Sequence, residues 1–189
     1  MAGLAATIAL FPYAAGRRVP VLQWVDFAFH ETGHLLAGWL PPMAMFMAGS
    51  IAEIGVPLGL AVYFSVSQRD LAAGGMCLAW AGAAAWGVSV YAGDAMTQSL
   101  PIVGGEHDWA FILGPDGFDA LSATATVARA IEIGGMAAAA VGVLMSASAT
   151  VRATRPAPYV VERRSSPASL GPDAADPWRA AARHPGEAA

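Results

Sequence analysis

Apolar residues fill four long stretches of this chain, and polar or helix-breaking residues stand between them. The first stretch runs from about Val19 to Leu40 and stops at Pro41-Pro42. The second runs from about Met45 to Val66, carries Glu53, and is followed by the polar turn Ser67-Gln68-Arg69-Asp70. A third, from about Leu71 to Ala92, is rich in the Ala and Gly that let helices approach closely. The fourth extends from about Thr124 to Ala149. Runs of about 20 apolar residues suit helices that cross a bilayer. Residues 3–15 are apolar but too few to cross as a straight helix, and Gly16-Arg17-Arg18 ends them. They read as an interfacial or partly inserted helix, and with no positive segment before them a cleaved leader is not expected.

The pattern predicts an all-α fold: a polytopic membrane helical bundle of about four transmembrane helices. Residues 1–18 form an interfacial N-terminal segment and 19–151 the transmembrane domain. Residues 152–189, Pro-, Ala- and Arg-rich without apolar periodicity, form a disordered cytoplasmic tail. The connection 93–122 is extracytoplasmic or partly re-entrant. It has no Arg and carries Asp94, Glu106, Asp108, Asp116 and Asp119, whereas Arg17, Arg18, Arg69 and the arginines after Val151 fall together on the other side if there are four spans. The positive-inside rule then places both termini in the cytoplasm of a bacterium, with the protein in its inner membrane. Arg129 and Glu132 are spaced i,i+3 and can pair where the fourth span enters the bilayer.

Composition agrees with that class. Of 189 residues, 56% are hydrophobic and 13% charged, against about 25% charged in ordinary soluble domains. Mean hydropathy is +0.50. All ten basic residues are Arg, and the Ala, Gly and Pro richness without Lys or Asn is typical of a GC-rich genome. A net charge of −4 argues against a nucleic-acid partner. The single cysteine, Cys77, allows no intrachain disulfide and no thiolate cluster, and reads as a small buried hydrophobe.

Within the first apolar stretch stands His30-Glu31-Thr32-Gly33-His34. Residues four apart share a helix face, so His30 and His34 can present two imidazoles to one Zn2+. Glu31 lies about 100° round the helix, beside the ligands, where it can act as general base. Asp26, one turn before His30, is placed to hold a ring N–H. A packed helix with hydrogen-bonded histidines is the plainer reading, but imidazole and carboxylate side chains in apolar spans are costly and usually functional. Catalytic zinc takes three protein ligands, so one is missing. His107, in Gly104-Gly105-Glu106-His107-Asp108-Trp109, is the favoured third ligand, with Glu106 or Asp108 to orient it. Glu53, level with the pair after folding about Pro41-Pro42, and Asp94, just beyond the third span, are alternatives. His184 lies in the tail, away from the site. Small-residue faces such as Gly55 with Gly59, and Gly82, permit helix association within or between chains, so a homo-oligomer is an open expectation.

This helix with later acidic residues resembles the integral-membrane zinc metallopeptidases, including the site-2 protease class. The Gly-Gly-Glu-His-Asp-Trp run is similar to one in small bacterial membrane proteins that also carry HExxH. Site-2 proteases add an Asp-Gly pattern in a later span, whereas here Pro115-Asp116-Gly117 lies in the outer connection. The resemblance implies His30 and His34 as zinc ligands and Glu31 as general base. The expected activity is hydrolysis of a peptide bond, in a membrane protein or peptide substrate, in or near the bilayer. Two other functions stay open: a zinc-dependent lipid amide or ester hydrolase, and a non-catalytic metal-binding or metal-transport protein.

Overall fold

The structure, a computed structural model, describes residues 1–103 and 105–154. Among these residues all regular structure is helical, with α1 at Ala2–Ala15, α2 at Leu22–Ala37, α3 at Pro42–Val62, α4 at Leu71–Gly93, α5 at Asp108–Leu113 and α6 at Thr124–Thr154. The expected tail starts inside the last turn of α6, and its remainder lies outside the described residues, as does Gly104.

Local chemistry sets several of the boundaries. Pro42 opens α3 at a position where its missing N–H costs nothing. The Asp70 carboxylate caps α4, accepting from the backbone N–H groups of Ala72 and Ala73, both at 3.0 Å. Gly16 closes α1 in the left-handed region, with φ 63°.

Three helical stretches are long and apolar enough to cross a membrane: Pro42–Ser67, Leu71–Gly93 and Leu121–Thr154. In the first, α3 runs on through a π-helical turn at Tyr63–Ser67, and in the third a short 3-10 turn precedes α6. The first apolar stretch of the sequence forms only the 16 residues of α2. At 1.5 Å per residue that is about 24 Å, less than a hydrocarbon core of about 30 Å. Large apolar side chains stand exposed on several helices, Leu35, Leu36, Ile51, Val62 and Leu144 among them. Such surfaces suit lipid better than water.

The bundle is built around α4, which packs against α1, α3 and α6, while α2 packs on α3. Close approach of α4 and α6 is possible only because glycines face each other across the contact. A Cβ on Gly82 would lie 2.5 Å from the Gly135 carbonyl oxygen and 2.7 Å from the Ala139 Cβ. Lower down, Gly75 meets the Gly142 carbonyl, and the buried Ser146 hydroxyl donates to the Ala72 carbonyl at 2.8 Å. The small-residue face at Gly82 therefore works within one chain, while Gly55 and Gly59 face open space. The expected Arg129–Glu132 pair is present at 2.6 Å.

The first two helices run in the same direction as α4. Ala5 and Ala9 cluster with Ala79, the Tyr13 hydroxyl reaches the Gly82 carbonyl at 3.4 Å, and Arg18 lies against Gly87. Antiparallel to α3, α2 sets His30 beside Glu53 and His34 beside Met45. The sequence reading put Arg17 and Arg18 at the same end of the bundle as Arg69. Instead, Arg18 meets α4 sixteen residues after Leu71, about 24 Å along the helix. The physical reason is that α1 packs its Ala face along α4 rather than lying across the foot of the bundle.

The α4–α6 contact makes a direct prediction. Gly82→Ala should cost about 1–3 kcal/mol, because the backbones must part. Gly134→Ala, one residue from Gly135 but with open space at its Cβ position, should change stability by less than about 1 kcal/mol. Thermal unfolding of both variants in detergent checks this, and equal effects would contradict it.

Candidate metal centre

The spacing of the two histidines does what helix geometry requires, placing both rings on the face of α2 that meets α3. Each ring uses its Nδ1 to reach a structural acceptor on that neighbour. His30 Nδ1–H donates to Glu53 Oε2 at 3.1 Å, and His34 Nδ1–H to the Met45 carbonyl at 2.9 Å. In that tautomer each neutral ring turns an Nε2 lone pair the other way. Both Nε2 atoms point at one oxygen, Asp108 Oδ2, at 2.8 Å from His30 and 3.1 Å from His34. With the ring protons on Nδ1, three electron-pair donors converge, and such an arrangement is stabilised by a cation placed among them. The one group of metal-ligating side chains found among the described residues is this one: His30 and Asp108 buried, His34 half-buried.

Backbone shape leaves room for the convergence. A Cβ built on Gly49 would overlap the Nε2 atoms of both His30 and His34. At Gly33, between the two histidines, a Cβ would strike the Ala48 carbonyl, so its absence lets α2 and α3 close on each other. These two glycines bring the rings together and keep the space between them clear.

Asp108 arrives from the long connection. It is the first residue of α5, a six-residue helix anchored on α3. Phe111 stacks on Phe46 with ring centroids 4.1 Å apart, and Trp109 Nε1–H donates to the Ser50 hydroxyl at 3.1 Å. The Asp108 backbone N–H donates to the Tyr91 hydroxyl of α4 at 3.1 Å. Contacts to α3 and α4 together therefore aim the carboxylate.

The structure brings Asp108, not His107, to the histidine pair. His107 caps α5 instead. Its Nδ1 accepts the Ala110 N–H at 3.3 Å, which puts the ring proton of a neutral imidazole on Nε2. That nitrogen is buried without a hydrogen-bond partner, with Asp94 Oδ2 at 3.4 Å and the Tyr91 ring 4.3 Å away centroid to centroid. His107 is therefore not among the three converging side chains. The alternative ligands are engaged as well. The Asp94 carboxylate accepts from the Thr97 hydroxyl, from the Ser99 hydroxyl and N–H, and from the Leu100 N–H. Burial alone would raise that carboxyl, but hydrogen bonds from Thr97, Leu100 and Ser99 outweigh it and hold it well below the usual carboxylate range. Glu53, 1% exposed, divides its two oxygens between His30 and Arg18.

The expected supporting residues are redistributed. Asp26 is buried but turned to α4, where its carboxylate accepts from Trp80 Nε1–H at 2.7 Å. Glu53, on the facing helix, takes the role of holding a His30 N–H. Glu106 is exposed and lines the same cavity as the histidines, with no side-chain hydrogen bond to His107. Glu31 is exposed on the wall of a cavity of about 620 Å³, together with His30, His34 and Asp108. The cavity lining also includes the apolar side chains of Trp24, Phe27, Trp86 and Val90. Arg18, Gly49 and Tyr91 were not legible as site residues. Only Gly49 carried a signal, lying one helical turn before Glu53 on the same face.

Comparison with protein-family models, with curated proteins and with solved structures finds no match to this chain.

The room left by Gly49 is testable. If the site holds a metal ion, Gly49→Ala should lower metal content well below that of the wild type while the protein stays folded, whereas Gly55→Ala, with open space at its Cβ position, should match the wild type. Elemental analysis of the detergent-purified variants checks this, and full metal content in Gly49→Ala would contradict it.

Proposed function

We propose that this protein is a membrane-embedded, zinc-dependent hydrolase that cuts peptide bonds in or near the bilayer. The observation that carries the reading is the convergence of His30 Nε2, His34 Nε2 and an Asp108 oxygen, with Glu31 beside them on an open cavity. Two imidazoles and one carboxylate form a ligand set that catalytic zinc uses, with a coordination position left for water or substrate.

A bound zinc ion would supply Lewis acidity to a substrate carbonyl and to water. The remaining steps fall to the side chains. Glu31 takes a proton from the attacking water and delivers it to the leaving amine. Glu53 and the Met45 carbonyl keep the Nδ1 protons of both histidines in place, so that each Nε2 stays a donor. The apolar lining of Trp24, Phe27, Trp86 and Val90 accommodates an apolar substrate segment. The chain contains no Asn to stabilise an oxyanion, so that task would fall to backbone N–H groups and to the Lewis acidity that a zinc held by His30, His34 and Asp108 would supply.

Membrane placement is part of the same proposal. In it, α2 and the preceding α1 together make the fourth crossing, and α5 packs back against α3 from the outer side with 93–122 extracytoplasmic. Both termini then face the cytoplasm of a bacterial inner membrane.

Metal transport is the second reading, favoured by the buried acids Glu53 and Asp26 beyond the histidines. The Arg18 guanidinium on Glu53 opposes it, because a fixed positive charge stands where a cation would have to pass.

Glu31→Gln should keep its zinc and lose at least about 100-fold in peptide cleavage. Proteoliposomes carrying transmembrane peptide substrates, read by mass spectrometry of the fragments, test this. Undiminished cleavage by Glu31→Gln would overturn the mechanism, and zinc uptake into the liposomes without cleavage would favour transport.

A further inference from the structure

Arg18 reaches the site from the link between α1 and α2, far from the end of the bundle where its sequence position suggested it would lie. Its guanidinium crosses Gly87 of α4, where a Cβ would lie 2.7 Å from Arg18 Cζ, and donates to Glu53 Oε1. The other oxygen, Glu53 Oε2, accepts the His30 Nδ1–H at 3.1 Å. Glu53 is almost fully buried, and the Arg18 side chain is 31% exposed. A chain of contacts therefore leads from Arg18 through Glu53 to His30 and on to Asp108, and Arg18 itself is not among the three converging donors.

Each link has a physical consequence. A carboxylate held by a guanidinium at one oxygen and an imidazole N–H at the other has no free rotation left. Its plane is set, and so is the direction in which His30 turns its Nε2. A carboxylate this deeply buried also needs a counter-charge, and among the described residues Arg18 is the cation paired with it. Without Arg18, Glu53 would keep its desolvation cost and lose both the charge and the anchor that orient it.

We infer that Arg18 is a positioning residue for the metal centre, setting zinc affinity through Glu53 and His30 without touching the metal. This inference rests on the metal site proposed above but not on its hydrolytic activity. Partners one step removed from a metal ligand typically change affinity 10–100-fold when lost, and here that effect reaches one residue further, to Arg18. Gly87 belongs to the same device, because a Cβ there would make the guanidinium shift from its place.

The test uses the full chain in detergent, with Zn2+ titrated against a chromophoric chelator. Glu53→Gln and Arg18→Met should each weaken zinc binding by about 10–100-fold. Arg18→Met/Glu53→Gln should bind no more weakly than Glu53→Gln alone, since the two residues act through one contact to His30. Arg18→Lys should recover part of the loss, and Gly87→Ala should reproduce part of it by displacing the guanidinium. The double variant leaves no unpaired buried charge, so it keeps the test decisive if Arg18→Met alone does not fold. Wild-type affinity in a folded Arg18→Met protein, or a double-variant loss equal to the product of the single losses, would overturn the inference. Zinc binding in the wild type without hydrolysis would overturn the proposed activity and leave this inference standing. No zinc binding in the wild type would overturn both.

Discussion

A carboxylate buried among apolar helices has to be compensated, and much of the site's architecture answers that requirement at Glu53. One of its oxygens is held by Arg18 and the other by His30, so three elements, the α1–α2 link, α2 and α3, are tied together at one residue. The same contact orients His30 toward His34 and Asp108. The candidate metal centre is thus an extension of a charge-pairing problem: Glu53 holds the Nδ1 of His30 and so fixes where its Nε2 points, and Glu53 is tolerable because Arg18 neutralises it.

Glycine makes this polar interior possible. At Gly33 and Gly49 it lets α2 and α3 approach while leaving the ring nitrogens clear, and at Gly87 it admits the guanidinium. At Gly75, Gly82, Gly135 and Gly142 it brings α4 and α6 to backbone contact. The two groups serve different ends. Along α4 and α6 the absent side chains provide packing, whereas at Gly49 and Gly87 they provide space for side chains from elsewhere. For long apolar helices that could cross a membrane, close packing of this kind is a principal source of cohesion.

The helical class, the long apolar helices and the shared face of His30 and His34 were legible because each depends on spacing within one segment. The exchange of Asp108 for His107 was not. It depends on the α5 register, which Phe111 on Phe46 and Trp109 on Ser50 determine across the α3 interface. Adjacent residues on a short helix point in different directions, and local sequence does not say which one faces α2. Arg18 was misplaced for a similar reason. An Arg-Arg pair after a short apolar run is the usual sign of a membrane boundary, and only the packing of Ala5 and Ala9 on α4 carries it inward. Glu53 holds the His30 N–H expected of Asp26 because a partner one turn away on the same helix competed with one facing it from α3. The facing partner won.

The central claim is that Asp108 completes the ligand set begun by His30 and His34. Zinc content of the detergent-purified protein tests it most directly, measured for the wild type, Asp108→Ala and His107→Ala. About one zinc per chain in the wild type and in His107→Ala, with loss in Asp108→Ala, is the expected result. Zinc retained in Asp108→Ala but lost in His107→Ala would contradict it.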